Sequence, residues 1–186
     1  MCREEVGPSD AILVENFDHD YLVFEGAAML QQAGLSPRVI VPVDTSPRDS
    51  REASVVDRGI AELMARIAGL RNPEMLPVRD QSEPITYNSA HDIRDFLTAE
   101  RLRSIIVVAP AFRSRRSALV YRAVLAPASI KVFCMPVFGQ HTVQNWPATW
   151  HGIQDVALQF IKLQYYRFDV LPLARETITS GPRVAF

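Results

Sequence analysis

Short apolar runs alternate with amphipathic segments along the whole chain. The apolar runs have the length and the β-branched content of buried strands, and they span 10–14, 38–43, 74–78, 104–109 and 130–137. Apolar residues at three- and four-residue spacing predict helices at 21–33, 52–68, 84–100, 112–125 and 153–166.

Five strand–helix units in this order predict an α/β protein, a Rossmann-like three-layer sandwich. Right-handed crossovers would build a five-stranded, mostly parallel sheet with the common strand order 3-2-1-4-5. The apolar face of the second helix is predicted to consist of Val56, Ile60, Leu63, Met64 and Ile67, which recur at three- and four-residue spacing. Ser82 is expected to cap the third helix, with Pro84 in its first turn.

Size and charge narrow the class of protein further. The 186 residues suit one domain, predicted at 10–171 with flexible tails at 1–9 and 172–186. A formal net charge of −1 provides no strongly basic surface, so no nucleic-acid partner is expected. Neither a signal peptide nor an apolar run of about 18 residues is visible, so the expected location is the cytoplasm.

The residues with metal or redox chemistry form no known motif. Cys2 and Cys134 do not make a C-x-x-C pair, and no histidine pair has the spacing of a helical zinc site. We interpret Cys134 as a buried structural thiol and expect Cys2 in a frayed terminus. A Walker A loop, a G-x-G-x-x-G loop and a G-x-S-x-G elbow are all absent from the sequence. The prediction is therefore no metal and no cofactor, with a nucleotide-like ligand left open.

The most informative stretch follows the fourth strand. In sheets of this kind, ligands bind beyond the carboxyl ends of the strands where strand order reverses, here between strands one and four. The helix after strand four begins with Arg113, Ser114, Arg115, Arg116 and Ser117. A helix N-terminus attracts anions, whereas arginines there oppose the helix dipole unless an anion compensates them. Arg113, Ser114, Arg116 and Ser117 are therefore predicted to bind a small anionic ligand.

Polar residues at the same edge of the sheet could complete this site. Asn16 follows the first strand, and Thr86 and Asn88 lie at the start of the third helix. Each is predicted to orient the remainder of the ligand. The alternative is that Thr86 and Asn88 are ordinary polar residues of a helix start.

Acidic groups near strand one allow two interpretations. Glu15 and Asp18 could serve as a general base if the site performs chemistry, and His19 could titrate near neutral pH. These three residues are the catalytic candidates that the sequence offers. Alternatively, Glu15, Asp18 or Glu83 could pair with the arginines in a purely structural arrangement.

Aromatic residues are concentrated in the last part of the chain. Trp146 and Trp150 lie in the predicted loop before the last helix, which carries Phe160, Tyr165 and nearby Phe168. Such a stripe usually packs in a core or in an oligomer contact. A homo-oligomer through this helix is therefore a prediction, and a membrane-surface role is the weaker alternative.

Several segments together resemble the YdcF-like family, which includes the SanA and ElyC envelope proteins. The resemblance lies in the first strand, in the helix–Gly–Pro–strand step of 31–41, in the T-Y-N-S-A run at 86–90, in 107–117 and in the K-L-Q-Y-Y run at 162–166. It implies a Rossmann-like fold and a link to cell-envelope or polysaccharide processes, often through a membrane anchor. No anchor is present in this sequence, so envelope association would require a missing upstream segment.

The sequence departs from the family pattern at the positions that matter most for chemistry. A glycine pair after strand one is replaced by Glu15 and Asn16, and the motif Glu by Asn88. The family His after strand four corresponds to Arg113, and its Arg to Arg116. An arginine that is always charged favours holding an anion over moving a proton.

Three functional hypotheses remain at this level. The first is binding of a phosphorylated or nucleotide-like small molecule at the switch point of the sheet. The second is hydrolysis or transfer of a phosphate-bearing envelope precursor, and it alone of the three would make the protein an enzyme. The third is a non-catalytic accessory protein that uses the Trp146 and Trp150 loop and the aromatic helix as an interface.

Overall fold

A computed structural model describes residues 1–2, 5–18, 20–45, 51–79 and 84–172, with only the backbone of 51–54. Its five strands are β1 Ala11–Val14, β2 Arg38–Asp44, β3 Glu74–Val78, β4 Ser104–Pro110 and β5 Lys131–Val137. All neighbouring pairs are parallel, and the order is β3-β2-β1-β4-β5. The predicted Rossmann-like sheet and its strand order are confirmed.

Helices cover both faces of this sheet. They are α1 Tyr21–Gln32, α2 Arg51–Ile67, α3 Ile85–Ala99, α4 Ala111–Leu125 and α5 Trp150–Tyr165, and a π-helical turn follows at Tyr166–Val170. One core cluster joins the sheet to α1 and α2, and a second joins it to α3, α4 and the π turn. The central strand β1 is fully buried, as its unbroken apolar run predicts.

The end of the central strands creates the switch point. Val14 of β1 pairs with Val108 of β4, and the Glu15 amide continues the pairing by donating to the Val108 carbonyl at 3.0 Å. The chain after β1 therefore lies beside Pro110, where β4 passes directly into α4. This register places Glu15 and the first turns of α4 at the same edge of the sheet.

The starts of α5 and α3 differ from the predicted ones. α5 begins at Trp150 and not at residue 153, because the Thr149 hydroxyl caps the helix by accepting from the Gly152 amide at 3.1 Å. In α3, Pro84 occupies the N-cap position without a side-chain hydrogen bond. Ser82, the predicted cap, lies outside the described residues.

Three of the five residues in the predicted apolar stripe of α2 face water. Val56, Leu63 and Ile67 are exposed, while Ala61 and Ala65 are buried. The predicted apolar face is only partly right: Met64 packs against the core and Ile60 is half-buried, but the closest contact with the sheet comes from the two small alanines.

The outer edge of β3 carries a proline. The Val78 carbonyl accepts from the Thr45 amide just beyond β2, so Val78 faces the interior of the sheet. A residue in a parallel strand directs its amide and carbonyl to the same side, and the next residue directs them to the other. Pro77 therefore lies with its hydrogen-free nitrogen toward the open edge.

The same arrangement recurs on β5, the opposite edge. The Lys131 amide donates to the Arg103 carbonyl beside β4, so the odd-numbered residues of β5 face β4. Pro136 then lies toward the open edge, as does the Val132 carbonyl. Arg122 of α4 donates to that carbonyl from Nε and Nη2 at 3.4 and 3.3 Å.

A disulfide joins the amino terminus to the sheet. Cys2 is bonded to Cys134 of β5, 132 positions along the chain, and both residues are buried. The Cys2 amide also donates to the Ser114 hydroxyl at 3.1 Å. The predictions of a free thiol at Cys134 and of a frayed Cys2 are therefore wrong.

Candidate ligand-binding site

A buried carboxylate lies at the end of β1. The Glu15 side chain is 0% exposed, and the Ser117 hydroxyl donates to it from 2.7 and 2.8 Å of its two oxygens. Arg113 Nε lies 3.2 Å from Glu15 Oε2, close enough for an ion pair but not aligned for a hydrogen bond. Residues from β1 and α4 thus form a charged cluster inside the protein.

Arg113 connects this cluster to the surface. Its side chain is only 7% exposed, and it pairs through Nη1 with Asp18, whose own side chain is 70% exposed. Burial lowers the pKa of Arg113, but attraction to Glu15 and Asp18 outweighs that effect and leaves the pKa raised. Within the described part of the chain, Nη2 is buried without a hydrogen-bond partner.

Arg116 is a second buried guanidinium. Its Cζ lies 5.3 Å from the centre of the Tyr166 ring, a cation–π distance. Burial lowers the pKa of Arg116, and attraction to Glu15 opposes that shift. Nε of Arg116 has no hydrogen-bond partner among the residues that the structure describes. Arg113, Arg116 and Glu15 therefore place two positive charges against one negative charge in the interior.

Tyr121 is a buried neighbour of Glu15 and Arg113. It is fully buried, and its hydroxyl has no partner within the described ranges. Burial, followed by the nearby negative charge of Glu15, raises the pKa of Tyr121 well above its ordinary value. The phenol therefore stays neutral and contributes no charge.

A cavity of about 240 Å³ opens beside Arg113. It lies over the carboxyl ends of β4 and β5, at the first turn of α4. Its described lining consists of Asp18, Asp20, Pro110, Ala111, Phe112, Arg113, Val137, Gly139, Gln140, His141, Asp155 and Gln159. One guanidinium thus faces three carboxylates and a histidine across a small, open space.

The structure places the predicted site residues at different depths. Arg113 and Asp18 line the cavity, whereas Arg116, Ser117 and Glu15 lie behind Arg113. The structural alternative, in which arginine pairs with Glu15 and Asp18, is present for Arg113.

The other predicted polar residues point elsewhere or lie outside the cavity. Ser114 Oγ donates to the Ala111 carbonyl and accepts from Cys2, and Asn16 Nδ2 donates to the Pro42 carbonyl at 3.3 Å. Thr86, which is buried, and Asn88 are not among the described lining residues. The last candidates, His19 and Glu83, fall outside the described residues.

Sequence reasoning missed the part of the wall that comes from α5. Asp155 and Gln159 reach the cavity from that helix, and Gln140 and His141 reach it from the loop before it. The Thr149 hydroxyl lies 3.2 Å from His141 Nε2, which joins the loop to the helix cap. No local sequence motif predicts this wall of the cavity, because the wall depends on the packing of α5 against α4.

Gly152 of α5 packs closely against the backbone of Trp146, and this contact gives a first prediction. A Cβ built on Gly152 would lie 2.2 Å from the Trp146 carbonyl oxygen, so Gly152→Ala must displace the turn Trp146–Ala148. We expect a loss of about 1–3 kcal/mol in the free energy of unfolding. Urea unfolding measures it, with Gly59→Ala as control because its site is open and helical. Equal stability of the two variants would contradict the contact.

Three further points concern metal binding, membrane-spanning helices and oligomerisation. No group of three or more His, Cys, Asp or Glu in the described ranges is arranged to hold a metal ion. No helix there is long and apolar enough to span a membrane. Trp150, Phe160 and Phe168 are exposed, and oligomerisation through this helix stays a prediction.

Fold and cavity together define a Rossmann-like α/β domain with a candidate ligand pocket at its switch point. No protein-family model matches the chain, and no curated protein matches it. It is similar to the crystal structure of a universal stress protein in complex with cAMP, with 14% identity, a TM-score of 0.41, and coverage of 70% of this chain and 99% of that one.

A second similar structure is a protein of the universal stress protein family from Burkholderia pseudomallei. It shares 14% identity with a TM-score of 0.39, and the match covers 69% of this chain and 97% of that chain. The predicted membership in the YdcF-like family is contradicted, because the similar structures belong to a different family and no family model supports it. The envelope role that this membership implied is withdrawn with it.

Proposed function

We propose that the protein binds a small phosphorylated, nucleotide-like molecule in the 240 Å³ cavity beside Arg113. The observation that carries this proposal is the state of Arg113. It is a buried guanidinium at the cavity wall, its Nη2 has no hydrogen-bond partner among the described residues, and it belongs to a buried cluster with excess positive charge. A phosphate group that displaces the exposed Asp18 would give this guanidinium a more highly charged acceptor with several oxygens in place of one carboxylate.

The first turn of α4 adds a second source of attraction for an anion. The first N–H groups of a helix have no carbonyl partner within it, and they carry the positive end of the helix dipole. Pro110 precedes this turn and provides no side-chain cap. Ala111, Phe112 and Arg113 of the same turn line the cavity, so a phosphate there would meet backbone amides and the guanidinium together.

The rest of the wall suits hydroxyl groups. Oxygen atoms that accept hydrogen bonds from a sugar are provided by Asp20, Asp155, Gln140 and Gln159. The two aspartate carboxylates would repel a bare phosphate. The volume of about 240 Å³ lies just below the usual range of roughly 300–1,000 Å³ for ligand pockets, which favours a mononucleotide or sugar phosphate over a dinucleotide. A ligand that combines one phosphate with hydroxyls therefore fits better than inorganic phosphate.

Asp18 would act as a replaceable partner of Arg113. Its side chain is largely exposed, so releasing it to water costs little, whereas Glu15 is fully buried and held by Ser117. Glu15 would then position Arg113 from behind, and Asp18 would give way to the ligand phosphate. Glu15 is not at the described cavity wall, and Asp18 at the wall is paired with Arg113, so the arrangement favours binding over general-base catalysis.

Isothermal titration with AMP, adenosine and inorganic phosphate tests the proposal. We expect AMP to bind about tenfold or more tightly than adenosine, because only AMP supplies the phosphate acceptor. Asp18→Asn removes the internal competitor and should tighten AMP binding. Arg113→Gln should weaken AMP binding at least as much as loss of the phosphate does. Added salt should weaken AMP binding, since the contact is ionic.

Arg58→Gln is the matched control, because Arg58 is an exposed arginine of α2 whose ion pair with Glu62 is remote from the cavity. It should leave AMP affinity unchanged. Equal affinities for AMP and adenosine, or an Asp18→Asn variant that binds AMP no better than the native protein, would refute the proposed site.

A further inference from the structure

A second concave surface lies between α4 and α5, away from the cavity described above. It is a groove of about 800 Å³, and Met1 and Cys2 contribute to its lining. It shares no described lining residue with the cavity beside Arg113. Whatever occupies it is therefore a separate ligand, and the inference does not rest on the proposed function.

Arginine dominates the polar side of this groove. Arg115 and Arg122 come from α4, Arg167 comes from the turn after α5, and none of the described lining residues is acidic. Arg115 and Arg122 are two helical turns apart, about 10 Å along one face of α4. The bonds from Arg122 to the Val132 carbonyl hold that side chain in place. With no carboxylate in the described lining, the guanidinium groups of Arg115 and Arg167 give this side of the groove a positive potential.

The other side of the groove is apolar. Leu119 and Leu163 are partly buried along it, and Phe160 is 60% exposed at its rim. Exposed apolar area of this kind is unfavourable in water, and an alkyl chain laid against it would remove that area from water. The groove therefore presents cationic and apolar surface to the same occupant.

We propose that this groove binds a single-chain anionic amphiphile, a molecule with one negatively charged head and an alkyl chain. The head would contact the arginines through charge-assisted hydrogen bonds, and the chain would cover Leu119, Leu163 and Phe160. A neutral amphiphile would lack the first contact, and a simple anion would lack the second. The two surfaces together select for the combination.

Titration calorimetry below the micelle-forming concentration tests this with dodecyl phosphate, dodecanol and inorganic phosphate as probes. Dodecyl phosphate should bind about tenfold or more tightly than either other probe. Arg115→Gln with Arg167→Gln should remove most of that advantage without changing dodecanol binding. Phe160→Ser should weaken dodecyl phosphate and dodecanol alike. All three residues are on the surface, so the variants should keep native circular dichroism.

The controls separate this site from the other surfaces. Arg58→Gln with Arg66→Gln removes two arginines of α2 at another concave surface and should change nothing. Asp18→Asn should alter AMP binding and leave dodecyl phosphate binding unchanged. Equal binding of dodecanol and dodecyl phosphate, or full binding by the arginine variant, would overturn the proposal. Binding to anionic phospholipid vesicles without binding of the monomeric amphiphile, or a dimer in sedimentation that blocks the probe, would overturn it too.

Discussion

Glu15→Gln should lower the free energy of unfolding by about 3–5 kcal/mol, the range for removing one partner of a buried ion pair. Glutamine keeps the shape of the side chain and can still accept from Ser117, but it carries no charge. Arg113 and Arg116 would then remain buried without their interior counter-charge. The loss should appear as a lower midpoint in urea unfolding with an unchanged slope.

Two further variants show whether the charge is the cause. Asp18→Asn removes the exposed partner of Arg113 and should cost about 1 kcal/mol or less, because water already screens that pair. Glu15→Gln combined with Arg113→Met removes both signs and should recover part of the loss. If Glu15→Gln were no more harmful than Asp18→Asn, the buried cluster would not be held by its charges.

Reduction of the disulfide should be the second large effect. The bond between Cys2 and Cys134 closes a loop with a sequence separation of 132, so it restricts the unfolded chain strongly. We expect dithiothreitol to lower the free energy of unfolding by about 2–5 kcal/mol. Urea unfolding with and without dithiothreitol measures it.

Cys2→Ser is the control for the disulfide. Without the bond, the variant should have the stability of the reduced native protein and should not respond to dithiothreitol. Native protein that is equally stable in both conditions would show that the linkage contributes nothing. The stabilisation is available only under oxidising conditions, so stability should depend on the redox potential of the surroundings.

The sheet could be predicted from the sequence because its signal is local. The β4 segment Ser104–Pro110 has an unbroken apolar run that is typical of a strand covered on both faces, and its helix follows without a loop. The topological rule for parallel sheets then places the chain after β1 beside the start of α4. The proximity of Glu15 to Arg113 and Ser117 follows from these two steps.

The partners of these groups could not be predicted in the same way. Whether Arg113 faces a carboxylate or a ligand depends on side-chain positions that no periodicity encodes, and both alternatives were open. Asp155 reaches the cavity only because α5 packs on α4 after a long loop. The link between Cys2 and Cys134 joins residues far apart in sequence, and a pair of cysteines alone does not reveal it.

The prolines at the outer edges of the sheet have a consequence for self-association. A strand from another molecule would find no amide hydrogen at Pro77 or Pro136, and on β5 it would find the Val132 carbonyl already occupied by Arg122. Continuous cross-β growth or strand exchange at either margin is therefore disfavoured even at high concentration. Copies of this protein that come together should do so through side chains on their helices.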